Sequence, residues 1–259
     1  MTTLPDSAQE CPVPSAGIGC QPSQQENGIK CRMCGSEIAS GLAIQDLPDV
    51  IKLALKGIQP TICDACDEII RETRRQAVLA AREREFLRIC PHNYANTDLN
   101  LLPETSRRQW ARAMEWQYGP KGVVLLGSPR QGKTRILWLM IQKMVMAGLN
   151  PATFTCSELT DRSAKFRDRD EPDFSWKEDL FNTTDALCID DFGKFKATER
   201  LEADIFDLIE GFTAAGKPIL LTTNGTGSTM LDKFSAERGP SIVGRIREFC
   251  ASISFNIKP

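Results

Sequence analysis

Long hydrophobic runs, a basic leader and a dominant charge of either sign are all missing from this chain. No apolar stretch approaches the roughly 18 residues that a membrane-spanning helix needs, so no membrane partner is expected. The first residues, MTTLPDSAQECPVPSAG, have neither the basic start nor the apolar core of a secretory signal, and a cytoplasmic location is expected. The 32 basic and 34 acidic residues leave a net charge of −2. Any nucleic-acid binding must therefore come from local patches or from assembly, not from a global basic field. Histidine occurs once, at His92, and reads as an ordinary loop residue in preference to a zinc ligand. With 259 residues and 41% hydrophobic content, the chain can build one α/β domain plus a small module.

Cysteine, by contrast, is plentiful, with 10 residues. Four fall in two pairs, Cys31-Arg-Met-Cys34 and Cys63-Asp-Ala-Cys66, separated by 28 residues. Each C-x-x-C turn presents two sulfurs to one ion, and two such turns complete a zinc tetrahedron. Gly35 suits the tight turn after the first pair. A redox pair or an iron–sulfur cluster is the competing reading, disfavoured because no βαβ pattern surrounds the pairs. A module over 27–70 is too small to fold on apolar burial alone, so the metal would supply folding free energy. Its insert at 46–59 (DLPDVIKLALKGIQ) has the apolar spacing of a short helix. Residues 1–26 are rich in Pro, Ser and Gln without periodicity and read as a disordered tail carrying Cys11 and Cys20. The remaining cysteines read as buried thiols.

Segment 71–103 reads as a connecting helix and a lead-in loop. The pattern over 67–90 predicts a helix ended by Pro91. Its arginines (Arg71, Arg74, Arg75, Arg82, Arg84, Arg88) are interleaved with Glu68, Glu72, Glu83 and Glu85. That pattern favours a solvated helix over one that tracks a phosphate backbone.

From 104 to 259, helical segments alternate with five apolar runs at 122–126, 151–156, 186–190, 218–223 and 250–255, which argues for a parallel sheet covered by helices. The first run leads into Gly127-Ser-Pro-Arg-Gln-Gly-Lys133-Thr134, which matches G-x-x-x-x-G-K-[ST] at every fixed position. The glycines let backbone N–H groups close around phosphates, Lys133 adds charge at the terminal phosphates, and Thr134 offers a hydroxyl to Mg²⁺. Gly127, Ser128, Gly132, Lys133, Thr134 and Arg135 form the candidate nucleotide-binding set, at the start of a predicted helix.

The third run ends in Asp190 and Asp191, a Walker B arrangement in which Asp190 would hold Mg²⁺ and Asp191 would orient the attacking water. Aspartate at the second position is shorter than the more frequent glutamate and is expected to slow hydrolysis. The fourth run ends in Thr222-Thr223-Asn224, where Asn224 or Thr223 would position the lytic water; a turn at Asn224-Gly225 is the competing reading. A predicted amphipathic helix at 241–249 presents Arg245 and Arg247, which are either surface charges or the source of a finger reaching a neighbour's γ-phosphate.

The order GSPRQGKT, LCIDDFGK, LLTTN and GRIREF resembles the AAA+ ATPases of the DnaC/DnaI helicase-loader and IstB transposition-helper group, over roughly 90–255. The resemblance implies a P-loop NTPase (AAA+) fold of the α/β class, with a five-stranded parallel sheet and flanking helices. It assigns Lys133 and Thr134 to phosphate and Mg²⁺, Asp190 and Asp191 to metal and water, Asn224 to the sensor-one position and Arg245 to a trans arginine finger. It also implies that the CPHNYANT stretch helps to enclose adenine. The sensor-two arginine motif that such proteins often carry after the last strand is not found before Pro259, so nucleotide enclosure is expected to rely on a neighbouring subunit.

The expected protein is an oligomerising ATPase with ATP, magnesium and zinc as cofactors, acting on single-stranded DNA and a replicative helicase. A transposition helper that binds duplex DNA is the same-fold alternative. A nucleotide or small-molecule kinase is disfavoured because the charged stretch 161–169 reads as a solvated helix of the crossover rather than an acceptor lid. A nucleotide-gated binding module with little turnover is the remaining reading, motivated by Asp191.

Overall fold

A computed structural model describes residues 30–38, 61–98, 100, 102–165, 176–194, 198–225 and 227–255. The expected tail with Cys11 and Cys20, the helix at 46–59 and residues 166–169 lie outside the described residues. The chain divides into two compact units between Thr73 and Arg74.

In the first unit the described backbone is an antiparallel bridge, Lys30 with Glu37, enclosing the first cysteine pair. The second pair opens helix α1 (Asp64–Ile89), where Asp67 N–H donates to Cys63 O at 2.9 Å. The helix therefore starts three residues before the expected 67, with Cys66 in its first turn and acidic Asp64 and Asp67 at its positive end.

The second unit contains the rest of α1, then α2 (His92–Ala95), α3 (Glu104–Met114), β1 (Gly122–Leu126), α4 (Lys133–Met146), β2 (Pro151–Thr155) and α5 (Cys156–Lys165). There follow α6 (Trp176–Thr183), β3 (Ala186–Asp190), α7 (Glu199–Ala214), β4 (Ile219–Thr223), α8 (Gly227–Leu231), α9 (Gly239–Phe249) and β5 (Cys250–Ser254). All pairings are parallel and the strand order is β2-β3-β4-β1-β5. The expected five-stranded parallel sheet is what forms. The second run ends one residue earlier than expected. Thr155 and Glu158 form a capping box, with Thr155 N–H donating to Glu158 Oε2 at 2.7 Å and Glu158 N–H to Thr155 Oγ1 at 3.2 Å, so Cys156 begins a helix.

Alternation along each strand splits the core into two layers. Val123, Leu125, Cys188, Leu220 and Ile253 face α4 together with Phe86 of α1. Val124, Leu187, Ile189, Ile219 and Leu221 face α7 and α9. Phe86 is 1% exposed, whereas Val78, Leu79 and Leu87 on the same helix are exposed. Arg82 Nη1 donates to Met146 O at 2.6 Å, satisfying a carbonyl at the end of α4. The cysteines expected to be buried thiols behave as such: Cys90, Cys156, Cys188 and Cys250 are buried and unpaired by disulfide. Burial pushes Cys90 and Cys156 up to about 11 and Cys250 to about 12, which makes them inert thiols.

Candidate functional site

The strand order explains why residues scattered through the chain converge. β1 lies beside β4 and β4 beside β3, so the loops after these three strands meet at one carboxyl edge, where open α/β sheets bind ligands. After β1 the chain turns through Gly127 and Arg130 to Gly132, which caps α4 at φ 81°. Gly132 is needed twice over, because a Cβ there would also lie 2.6 Å from Leu102 Cδ2. No side chain caps α4, so its first N–H groups, which lack intrahelical partners, are left for an anion.

Lys133 is 5% exposed. Its Nζ donates to Gly127 O at 2.7 Å, Ser128 O at 2.8 Å and Asn224 Oδ1 at 2.9 Å. Burial pushes its pKa down, Asp191 opposes that shift, Lys194 adds to it and Asp190 opposes it. Thr134 Oγ1 donates to Asp190 Oδ1 at 2.9 Å, bringing together the hydroxyl and carboxylate that suit a hard divalent cation. Asp191 follows at φ 56°, a left-handed conformation that costs a non-glycine residue energy and is held here by its surroundings. Its N–H donates to Thr222 Oγ1 at 2.8 Å.

Lys133, Thr134, Asp191 and Asn224 line a cavity of about 370 Å³ together with Tyr94, Leu102, Pro103, Arg135 and Lys194. Arg135 lies 5.7 Å from the centroid of the Tyr94 ring, a cation–π contact. Arg245 stands elsewhere. It forms a two-point ion pair with Glu210 of α7, Nε to Oε2 and Nη2 to Oε1, each 2.9 Å, and its guanidinium carbon lies 5.9 Å from the Phe249 ring centroid.

Sequence reasoning passed over Thr222 and Lys194. Thr222 is fully buried and donates to Asp190 Oδ1 at 2.5 Å while accepting from Asp191 N–H. It ties both carboxylates of the third strand to the fourth. Thr222→Val is expected to lower stability by about 1–3 kcal/mol, because the Asp191 N–H loses its acceptor, and to raise the Mg²⁺ concentration needed for half-maximal turnover, because Asp190 loses a hydrogen bond that positions it. Chemical denaturation and a Mg²⁺ titration would check this.

The first unit brings the sulfurs of Cys31, Cys34, Cys63 and Cys66 within 4.8 Å of one another. A zinc tetrahedron with Zn–S bonds of about 2.3 Å has S···S edges of about 3.8 Å, and Cys34 to Cys63 is 3.5 Å. The donor set and spacing fit the metal. Gly35 turns at φ 74°, its N–H donating to Cys31 O at 2.9 Å. Backbone N–H groups of Cys34 and Cys63 hold Cys31 down at about 6, while the neighbouring sulfurs push Cys66 up to about 12.

No protein-family model matches the chain, and no curated protein sequence matches it. Solved structures do. A putative primosome component from Streptococcus pyogenes serotype M3 aligns with a TM-score of 0.50 at 14% identity, over 69% of this chain and 95% of that one. A DnaC helicase loader aligns at 0.49 and 18% identity, over 63% and 99%. AMPPCP-bound DnaA from Aquifex aeolicus aligns at 0.46 and 18% identity, over 59% and 47%, so the chain spans about half of that protein's length. At such identities the likeness is one of fold. Sheet order, phosphate loop and strand-end carboxylates define a P-loop NTPase fold of the AAA+ type. Among the described residues no helix is long and apolar enough to cross a membrane.

Proposed function

We propose that the chain is an ATPase that binds Mg²⁺-ATP in the 370 Å³ cavity and uses binding and slow hydrolysis to load or remodel a replicative helicase on single-stranded DNA. The observation that carries the nucleotide part is the junction of Lys133, Asn224, Thr134 and Asp190 through direct hydrogen bonds. It supports a reading in which Lys133 is the cation on the phosphates, Asp190 the carboxylate on the metal and Asn224 a polar amide beside them. Lys133 and the open N–H groups of α4 would hold the phosphates, Thr134 and Asp190 would hold Mg²⁺, Asp191 would orient the attacking water, and Asn224 would report on the terminal phosphate. Bound Mg²⁺ would neutralise charge developing on the transferred phosphoryl oxygens. Tyr94 and Leu102 offer an apolar wall for a base. The replicative role draws support from the fold likeness to the primosome component and from the sequence resemblance to helicase loaders.

Zinc on Cys31, Cys34, Cys63 and Cys66 would be structural, four thiolates leaving no open position. The partner-gripping role belongs in this reading to the unit that it organises.

Hydrolysis is proposed to need a second subunit that supplies Arg245. In the isolated chain that guanidinium is engaged by Glu210, so assembly must exchange one anion for another. The test is ATP turnover per subunit across protein concentration, with and without single-stranded DNA, coupled to recovery of a helicase from the host by the tagged protein. Turnover per subunit is expected to rise with concentration, and Arg245→Ala to flatten that rise and lower saturated turnover at least about tenfold, with ATP affinity kept. Unchanged turnover in Arg245→Ala at every concentration would remove the oligomeric finger. Recovery of a transposase in place of a helicase would move the chain to the transposition-helper reading.

A further inference from the structure

Lys194 lines the nucleotide cavity together with Lys133, yet it belongs to neither the phosphate loop nor the carboxylate pair. Its position is set by a tight turn. Lys194 N–H donates to Asp191 O at 3.1 Å, and Phe192 N–H donates to Thr222 O at 2.7 Å. Thr223 Oγ1 donates to Phe192 O at 2.8 Å. The Phe192 side chain, 1% exposed, anchors the turn in the core. The backbone beneath Lys194 is therefore fixed to β4, whereas its side chain is 57% exposed and free to pivot on a flexible four-carbon stem.

Lys194 Nζ sits 2.7 Å from Asp191 Oδ2. An ion pair this open to solvent is weak and exchanges readily for a stronger anion. The terminal phosphate of a nucleoside triphosphate is such an anion: it carries more charge than one carboxylate and offers three acceptor oxygens. A diphosphate has no group at that position.

We propose that Lys194 is a second phosphate-binding cation of this site, which leaves Asp191 for the terminal phosphate of a bound nucleoside triphosphate and thereby frees the Asp191 carboxylate to face the attacking water. The inference rests on the nucleotide reading of the cavity. It assigns triphosphate-over-diphosphate selectivity to a residue supplied in cis, beside Lys133. No bond is made or broken in the exchange; one ammonium changes partner.

The test measures affinity of the full chain for Mg²⁺-AMPPCP and for Mg²⁺-ADP by calorimetry. Wild type and Lys133→Met come first: a wild type that binds neither nucleotide overturns the nucleotide reading itself, and this inference with it. Given wild-type binding, Lys194→Met is expected to weaken AMPPCP on the order of tenfold, with ADP affinity held within about twofold. Lys194→Arg is expected to restore most of the loss, since a cation is kept. The AMPPCP loss is expected to persist in an Asp191→Asn background. Equal losses for both nucleotides, or none for either, overturn the proposal while leaving the nucleotide reading intact. So does a loss that disappears once Asp191 is neutral, because Lys194 would then act only as a counter-ion. The unfolding temperature of Lys194→Met, expected to equal that of wild type for so exposed a side chain, separates a binding effect from misfolding.

Discussion

Lys133→Met is expected to abolish productive nucleotide binding, lowering ATP affinity on the order of a hundredfold and reducing turnover to background. The Lys133 ammonium, 5% exposed, is held by Gly127 O, Ser128 O and Asn224 Oδ1. A phosphate entering the open N-terminus of α4 would take over part of that donor set. Charge-assisted hydrogen bonds to phosphate in a partly desolvated pocket contribute about 3 kcal/mol, which sets the hundredfold scale. Methionine keeps the apolar stem and removes the ammonium, its charge and its N–H donors. Arginine would not rescue, because a planar fork cannot occupy a slot shaped for a point charge.

Thermal shift offers an independent check. ATP at about 100 times its wild-type dissociation constant adds about 2.7 kcal/mol to wild-type stability, and only about 0.4 kcal/mol of this should remain in a variant that binds a hundredfold more weakly. The pH dependence has a definite sign. Burial lowers the Lys133 pKa, the charged form is the one that binds phosphate, and affinity is therefore full below that depressed pKa and lost as pH rises through it. Lys133→Met should show no such limb. Retention of ATP affinity within about threefold would sink the nucleotide reading of the cavity.

Fixed-spacing motifs and alternating apolar runs were legible in the sequence because each reports a local requirement. A phosphate loop needs its glycines and lysine at set offsets, and a buried parallel strand reads as an uninterrupted apolar run. The five strands and the convergence of Lys133, Thr134, Asp190, Asp191 and Asn224 followed from those two signals. Long-range pairing was the hidden part. Nothing in the spacing of Thr222 announces that it bridges to Asp190 and Asp191, since that bridge depends on β3 lying next to β4. The same holds for Lys194, one more charged loop residue until the turn after β3 aims it into the cavity. Arg245 shows the opposite limit: its sequence context suggests a finger, and only the fold reveals that Glu210 engages it. Helix α1 begins ahead of its charged repeat, at Asp64, within the turn of the second cysteine pair, where no helical periodicity marks it.

Stripping metal from the first unit is expected to unfold it while leaving the P-loop unit folded. Among the described residues up to Thr73, only Cys31 and Cys66 are buried, at 3% and 7% exposure, so the described part has no apolar core of its own beyond its sulfurs. Met33 and Ile69 are 58% and 61% exposed. Structural zinc sites supply about 10–16 kcal/mol at neutral pH, far more than such a unit can gain from burial. The second unit has two apolar layers around its sheet and needs no metal for them. A strong chelator should therefore release about one zinc per chain, expose the first unit to limited proteolysis, and leave the ATP-induced thermal shift of the second unit in place. Cys63→Ser should do the same without chelator. Acid should mimic both. Metal bound to the four sulfurs would hold the thiolates below their unfolded pKa values, so the stability it supplies is expected above the unfolded thiol pKa and lost as pH falls through the depressed one. A first unit that resists protease equally with and without chelator, in a preparation shown by elemental analysis to have lost its zinc, would overturn the structural role of the metal.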